Sequence, residues 1–163
     1  DIVSSIYDIP RNDSSYDIVL MLQVLEHIEF PVKALKEINR ILKKGGVLFL
    51  SVPQAAGDHF APYHYFNYTQ YGLDSVLKRA GFEIMSMDRL EGMFVYVGNR
   101  IQKLGAIIYY QNLDKNYFCK MLCLLFMSVC FWMGFALSML NSLDKQKQYC
   151  IGIIAVCRKN IKC

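Results

Sequence analysis

No cysteine stands in the first two-thirds of this 163-residue chain; all six, Cys119, Cys123, Cys130, Cys150, Cys157 and Cys163, fall in the last third. None sits in a Cys-x-x-Cys pair and no histidine lies near them in sequence, which argues against a zinc ribbon or a redox couple. They read as small apolar core residues of a reducing compartment, and so of a cytoplasmic protein. Charge of one sign is also scarce. A net +4, dispersed along the chain, is too little to argue for nucleic acid. No signal-peptide pattern is present, and Asp1 opens in mid-pattern without an initiator methionine, so the chain is expected to be part of a longer one. What is abundant is apolar surface, 54% of residues, rising sharply after residue 104. The length is one domain's worth.

Residues 16–53, YDIVLMLQVLEHIEFPVKALKEINRILKKGGVLFLSVP, organise the rest. Residues 18–22 are apolar without a polar face, as in a strand buried on both sides. Pro31 suits a first helical turn. Ala34, Leu35, Ile38, Ile41 and Leu42 recur at helical spacing, with Lys33, Lys36, Glu37, Arg40 and Lys43 mostly opposite. Lys43 and Lys44 suit the negative end of that helix, and Gly45 is placed to end it in a left-handed conformation. Residues 47–52 form a second buried strand, which makes a right-handed parallel crossover unit.

The stretches YDIVLMLQVLEHI, ALKEINRILKKGG and LFLSVP, in this order and spacing, resemble the second half of class I S-adenosylmethionine-dependent methyltransferases, in the type 11-like group. SSIYDIPRNDSSYD resembles the family's segment before the fourth strand, and HYFNYTQYGLDSVLKRAGFEI the elements after the fifth. The resemblance covers residues 1–90 and a last strand near 149–158. It implies an α/β fold: the C-terminal half of a Rossmann-like sheet, strands four, five, seven and six, with a helical apolar insertion. It also implies S-adenosylmethionine as cofactor. The family's Gly-rich loop and the second-strand acid would lie upstream of Asp1. Residues 17–23 would then be a bare sheet edge, which invites aggregation.

The resemblance assigns residues as well. Residues 1–6 would end the third strand, with Ser5 where the family usually carries an Asp that accepts a bond from the adenine amine. A hydroxyl accepts that bond more weakly than a carboxylate. Ile6 would present its N–H to the adenine ring. Leu22 and Gln23 end the next strand and would face the cofactor, since ligands bind outside the carboxyl ends of parallel strands. Glu26-His27 follows. Either His27 takes a proton from the acceptor, or the pair orders the loop by hydrogen bonds.

After Pro53 the chain is dense in aromatics and histidine. His59, Tyr63, His64 and Tyr65 would line an acceptor-side lid that excludes water and hydrogen-bonds the substrate. A lid packed on itself is the alternative. Asn67 stands where the family writes an arginine, which removes an anionic anchor. His27, His59 and His64 lack a carboxylate or cysteine at a persuasive spacing, so no metal is expected.

Thr69 reads as an N-cap, Leu73, Val76, Leu77 and Ala80 as a helical stripe stopped by Gly81, and residues 82–90 as a strand with one wetter face. Residues 149–156 read as a final strand. The expected division is 1–90 for the partial methyltransferase domain, 91–148 for the insertion and 149–163 for the last strand and tail. Residues 121–143 carry no charge and could cross a bilayer. The chain leaves the sheet near Leu90 and rejoins it near Tyr149, so crossings must be even, and residues 104–110 are too short to span. Three arrangements remain open: an interfacial helix, a re-entrant hairpin bending near Gly134, or a buried lid or dimer helix. Arg100, Lys103, Lys115, Lys120, Lys145 and Lys147 flank the segment and suit anionic lipid, so residues 104–143 are a candidate membrane surface. The expected function is methyl transfer to a small-molecule or lipid-linked acceptor, by a chain inactive alone. The alternative is a degenerate methyltransferase fold kept as a membrane-associated binding module. A nicotinamide-dependent dehydrogenase is disfavoured by the LEHI and RILKKGG patterns and by the absence of Tyr-x-x-x-Lys.

Overall fold

The computed structural model describes residues 2–160; Asp1 and residues 161–163 lie outside them, and with them the reading of Cys163 as a core thiol. The chain divides into two compact units, Asp1–Leu90 with Gly152–Cys163, and Glu91–Ile151.

The first unit runs β1 (Tyr16–Leu22), a single turn of 3-10 helix (Leu25–His27), α1 (Pro31–Ile41), β2 (Leu42–Pro53), α2 (Gln70–Arg79) and β3 (Phe82–Leu90). The chain returns with a last strand, Gly152–Lys159, which begins after the residue 149 expected from sequence. With α3 and α4 kept for the second unit, that strand is β4. The sheet order is β1-β2-β4-β3. β1 and β2 are parallel, while β4 runs antiparallel to both β2 and β3. This is the expected order four, five, seven, six.

Pro31 opens α1 at a position where its missing N–H costs nothing. Ala34, Leu35, Ile38 and Ile41 are its buried stripe. The helix ends earlier than the glycines suggested. Leu42, fully buried, is already extended and pairs with Tyr16, while the next ladder pair is Ile18 with Val47. The residues between Leu42 and Val47 bulge out of the ladder, and the left-handed Gly45 (φ +73°) serves that bulge instead of a helix cap. Gly46 is held close: a Cβ there would meet Lys43 O at 2.9 Å and Asp17 O at 3.1 Å. Lys43, outside the helix, reaches the Asp17 carboxylate at 2.8 Å. Thr69 caps α2 as expected, its hydroxyl accepting from Gly72 N at 3.1 Å, and Gly81 (φ +85°) ends the segment.

One face of the sheet holds the core. Leu48, Leu50, Val52, Ile153, Ala155 and Cys157 are buried there, together with Leu35, Leu73 and Leu77 of the helices. Each such leucine contributes about 1.5–3 kcal/mol on burial. Burial also pushes the Cys157 thiol up to about 12, as an inert core thiol requires. The opposite face corrects the expectation that β1 is buried on both sides. Ile18, Leu20 and Leu22 are 56%, 67% and 54% exposed, and Phe49 on the same face is exposed too. The strand expected to end at Ile6 is not formed either: residues 2–15 contribute only an isolated Ser5–Asp8 bridge. A clasp on α1 holds this segment. Arg40 donates to Glu37, to Asp13 Oδ1 and to the carbonyls of Ile9 and Arg11, while Glu37 accepts from Ile9 N at 2.8 Å. That network lowers the Glu37 carboxyl to about 2, through Arg40 first and the Ile9 N–H second.

The second unit is a helical hairpin, α3 (Met93–Gln111) and α4 (Tyr117–Met139). α3 is far longer than its apolar piece 104–110 suggested. α4 runs unbroken through Gly134, so the bend there that one of the three open arrangements needed is absent, and the reversal falls at 112–116. Gly134 has another use. A Cβ on it would lie 2.5 Å from Gly98 O, and one on Gly98 equally close to Gly134 O, so the helices cross backbone to backbone. Asn116 caps α4 through Cys119 N; Asn141 Oδ1 and Asp144 Oδ2 accept from Gly92 N and Met93 N at the start of α3. Cys130 is buried in this crossing, whereas Cys119 and Cys123 are only half-buried, a correction to their reading as core residues. Residues Tyr117–Leu143 form one stretch long and apolar enough to cross a membrane, with 11% of its most apolar window buried.

Candidate functional site

The site builds from the carboxyl end of β1. Gln23 leaves the strand in a left-handed conformation (φ 54°), with its N–H on Ser51 O at 3.0 Å and its amide on Ser51 Oγ at 3.1 Å. Leu25 and Glu26 are buried in the turn that follows. The Glu26 carbonyl accepts from Tyr65 N and Phe66 N at 2.9 and 3.2 Å, and Tyr68 N bonds Pro53 O at 2.9 Å, which ties loop 54–68 across the turn. Asn67 closes the loop on itself: its amide oxygen accepts from Ala56 N and its NH2 donates to Ala56 O. An arginine has no acceptor and could not make that pair, which gives this departure from the family pattern a structural role.

The loop brings three imidazoles together. Ring centroids lie 4.8 Å apart for His27 and His59, 4.4 Å for His59 and His64, and 5.7 Å for His27 and His64. His27 Nδ1–H donates to Tyr63 O at 2.8 Å, and His59 Nδ1–H to Gly57 O at 3.0 Å. A carbonyl oxygen can only accept, so in each neutral ring the proton sits on Nδ1 and the Nε2 lone pair is left over. Glu26 completes the group, with His27 Nε2 at 3.8 Å from its Oε1. The carboxylate is fully buried and neither oxygen has a hydrogen-bond partner. The His64 side chain is 4% exposed and neither ring nitrogen makes a hydrogen bond, with Asp58 Oδ1 3.8 Å from Nδ1. Burial and then the Glu26 charge push the neighbouring Tyr68 phenol up. Sequence spacing offered no carboxylate to the three histidines; the turn supplies Glu26, a residue the sequence reading placed only as a loop-ordering group.

The other expected site residues are more open. Tyr63 and Tyr65 expose their rings and serve the loop through backbone bonds. Ser5 Oγ accepts from Tyr7 N at 3.2 Å, and Ser5 and Leu22 are both exposed. Gln23 is exposed as well, and Ile6 is half-buried. A cleft of about 620 Å³ beside α1, with Phe30, Lys33, Phe66 and Arg79 in its lining, includes none of them.

The family model for a methyltransferase domain matches residues 2–50. The mitochondrial ubiquinone biosynthesis O-methyltransferase of Candida albicans is 45% identical over 49 residues, 30% of this chain and 15% of that relative. Among solved structures, the [4+2]-cyclase SpnF superposes with a TM-score of 0.57 at 21% identity, covering 96% of this chain and 54% of the other. The Burkholderia thailandensis 1,6-didemethyltoxoflavin-N1-methyltransferase, with S-adenosylhomocysteine bound, does so at 0.54 and 13% identity, covering 98% and 50%. The chain spans less than a third of the curated relatives it matches. Motif order, strand order and these matches agree: residues 2–50 match a methyltransferase domain, and the sheet has the strand order of class I S-adenosylmethionine-dependent methyltransferases.

Proposed function

We propose that the protein containing this chain transfers the methyl group of S-adenosylmethionine to a small-molecule or lipid-linked acceptor, and that this chain supplies the acceptor side. The observation that carries the reading is the carboxyl end of β1, where Leu22 and Gln23 open just ahead of the turn that anchors the aromatic loop. When bound, S-adenosylmethionine would supply an electrophilic methyl: the acceptor lone pair would bond to the methyl carbon as the C–S bond breaks and neutral S-adenosylhomocysteine leaves. Gln23 and Ser5–Ile6 meet the nucleoside. Tyr63, Tyr65, His59 and His64 exclude water and orient the acceptor. His27, its Nδ1–H bonded to Tyr63 O, anchors the loop. Most of the rate then comes from holding the reactants in line.

The exposed edge sets the test. Calorimetric titration of the folded chain with S-adenosylhomocysteine is expected to give weak binding or none; micromolar affinity would show a sufficient pocket and sink the half-site reading. In the natural gene product, label from methyl-labelled S-adenosylmethionine should pass to an organic-soluble product. Cofactor binding without transfer to any lipid, quinol or phenol pool would favour the second reading, a binding module on a degenerate fold. The match to a cyclase is a reminder that this fold carries other chemistries.

Membrane attachment through the hairpin belongs to the same proposal. Phe118, Leu125, Trp132 and Met139 of α4 are all more than half exposed. Among the described residues α4 alone is long and apolar enough to cross, so the return to β4 favours attachment at the membrane interface over two passes. Flotation with anionic vesicles is the check: a chain left at the bottom of the gradient removes the membrane from the proposal.

A further inference from the structure

We infer that Glu26, His27 and His59 form a binding site for a divalent transition ion of the zinc type. One carboxylate oxygen and two imidazole nitrogens lie within 4.8 Å of one another. Two imidazoles and one carboxylate are a set that zinc accepts, with a fourth position left open. The orientation of the rings is the second support. Nδ1 of His27 and of His59 is each bonded to a backbone carbonyl, and such outer partners fix the tautomer and aim Nε2 at a metal.

The third support is energetic and independent of the cluster's shape. Glu26 is buried with no hydrogen bond on either carboxylate oxygen, and beside the trio His64 is buried with none on either nitrogen, Asp58 Oδ1 lying 3.8 Å from its Nδ1. Buried polar groups without partners are costly and rare. A cation among them satisfies the carboxylate at once, and His64 is the nearest buried group with a nitrogen for the open position. Donor atoms around tetrahedral zinc lie about 3.3 Å apart, given bonds of about 2.0–2.1 Å. The His27–Glu26 pair is at 3.8 Å, so closing the site takes a small shift of those two and an inward move of His59. His59 stands in the irregular loop 54–68, where no ladder or helix resists that move.

The test is titration of the untagged, chelator-stripped chain with Co2+, read by its visible d–d bands. A saturable tetrahedral-type spectrum at a single equivalent is expected, displaced by Zn2+ and unaffected by Mg2+. His59→Ala lies outside the strands and helices and should weaken Co2+ binding at least about tenfold, since even outer-shell losses cost that much. Glu26→Gln should do the same, with circular dichroism confirming the fold. Equal Co2+ binding by wild type and His59→Ala overturns the proposal, as does the absence of any d–d band. Near-ultraviolet thiolate-to-cobalt charge transfer would place the ion on the cysteines and overturn it too.

Discussion

Replacing Glu26 by methionine removes a buried charge while nearly keeping its volume. In the metal-free chain the carboxylate has no hydrogen-bond partner, and His27 Nε2 at 3.8 Å is too far to supply one. Leaving such a group unsatisfied costs about 1–3 kcal/mol, and replacing buried ionic groups with well-packed apolar ones is often stabilising. Glu26→Met is therefore expected to stabilise the chain by about 1–3 kcal/mol in excess chelator. Urea denaturation reads this as a higher midpoint at unchanged slope. Zinc should then act more on wild type. At a hundredfold excess over the wild-type dissociation constant, wild type gains about 2.7 kcal/mol while Glu26→Met, bound at least about tenfold more weakly, gains at most about 1.4 kcal/mol, so the difference between them shrinks or reverses. A variant less stable than wild type in chelator would refute the reasoning, because it would mean that the carboxylate already has partners.

The clasp on α1 predicts a pH dependence. Glu37 is lowered to about 2, so its stabilisation is fully present above its ordinary value of 4.5 and is lost as pH falls toward about 2. Fluorescence-monitored acid unfolding should shift to higher pH-insensitivity in Glu37→Gln, whose curve loses the component between those values; an unchanged curve would show that the clasp does not couple to folding. In the hairpin, Gly98→Ala puts a methyl 2.5 Å from Gly134 O, which forces the helices apart. A loss of about 1–3 kcal/mol in thermal melting is expected, and a neutral result would mean that the crossing relaxes freely.

Periodicity and punctuation made much of this molecule readable. Pro31, the Ala34–Leu35–Ile38–Ile41 stripe and Thr69 act within a turn or two of themselves, so local chemistry decides them. The strand order came with the family resemblance that the motifs carry, and the sheet has it. The failures have physical causes. Gly45 looked like a helix cap, but Leu42 gains more by joining β1 and the core than by extending α1. The apolar runs of β1 and β2 signalled strands without telling how many faces are covered, because coverage depends on neighbours that hydropathy does not name. Gly134 suggested a bend, yet its missing side chain serves contact with Gly98.

The sequence by itself determined the strand-helix-strand unit of residues 16–53 and the long apolar stretch that becomes α4, because these rest on spacing along the chain. Only the tertiary structure decided what Glu26 is for. The turn after β1 buries its carboxylate, and the loop tied to that same turn brings His59 and His64 to it. Groups far apart in sequence thus meet in a space where water does not satisfy them. That juxtaposition has no period and no motif, so no reading of the sequence order could have contained it.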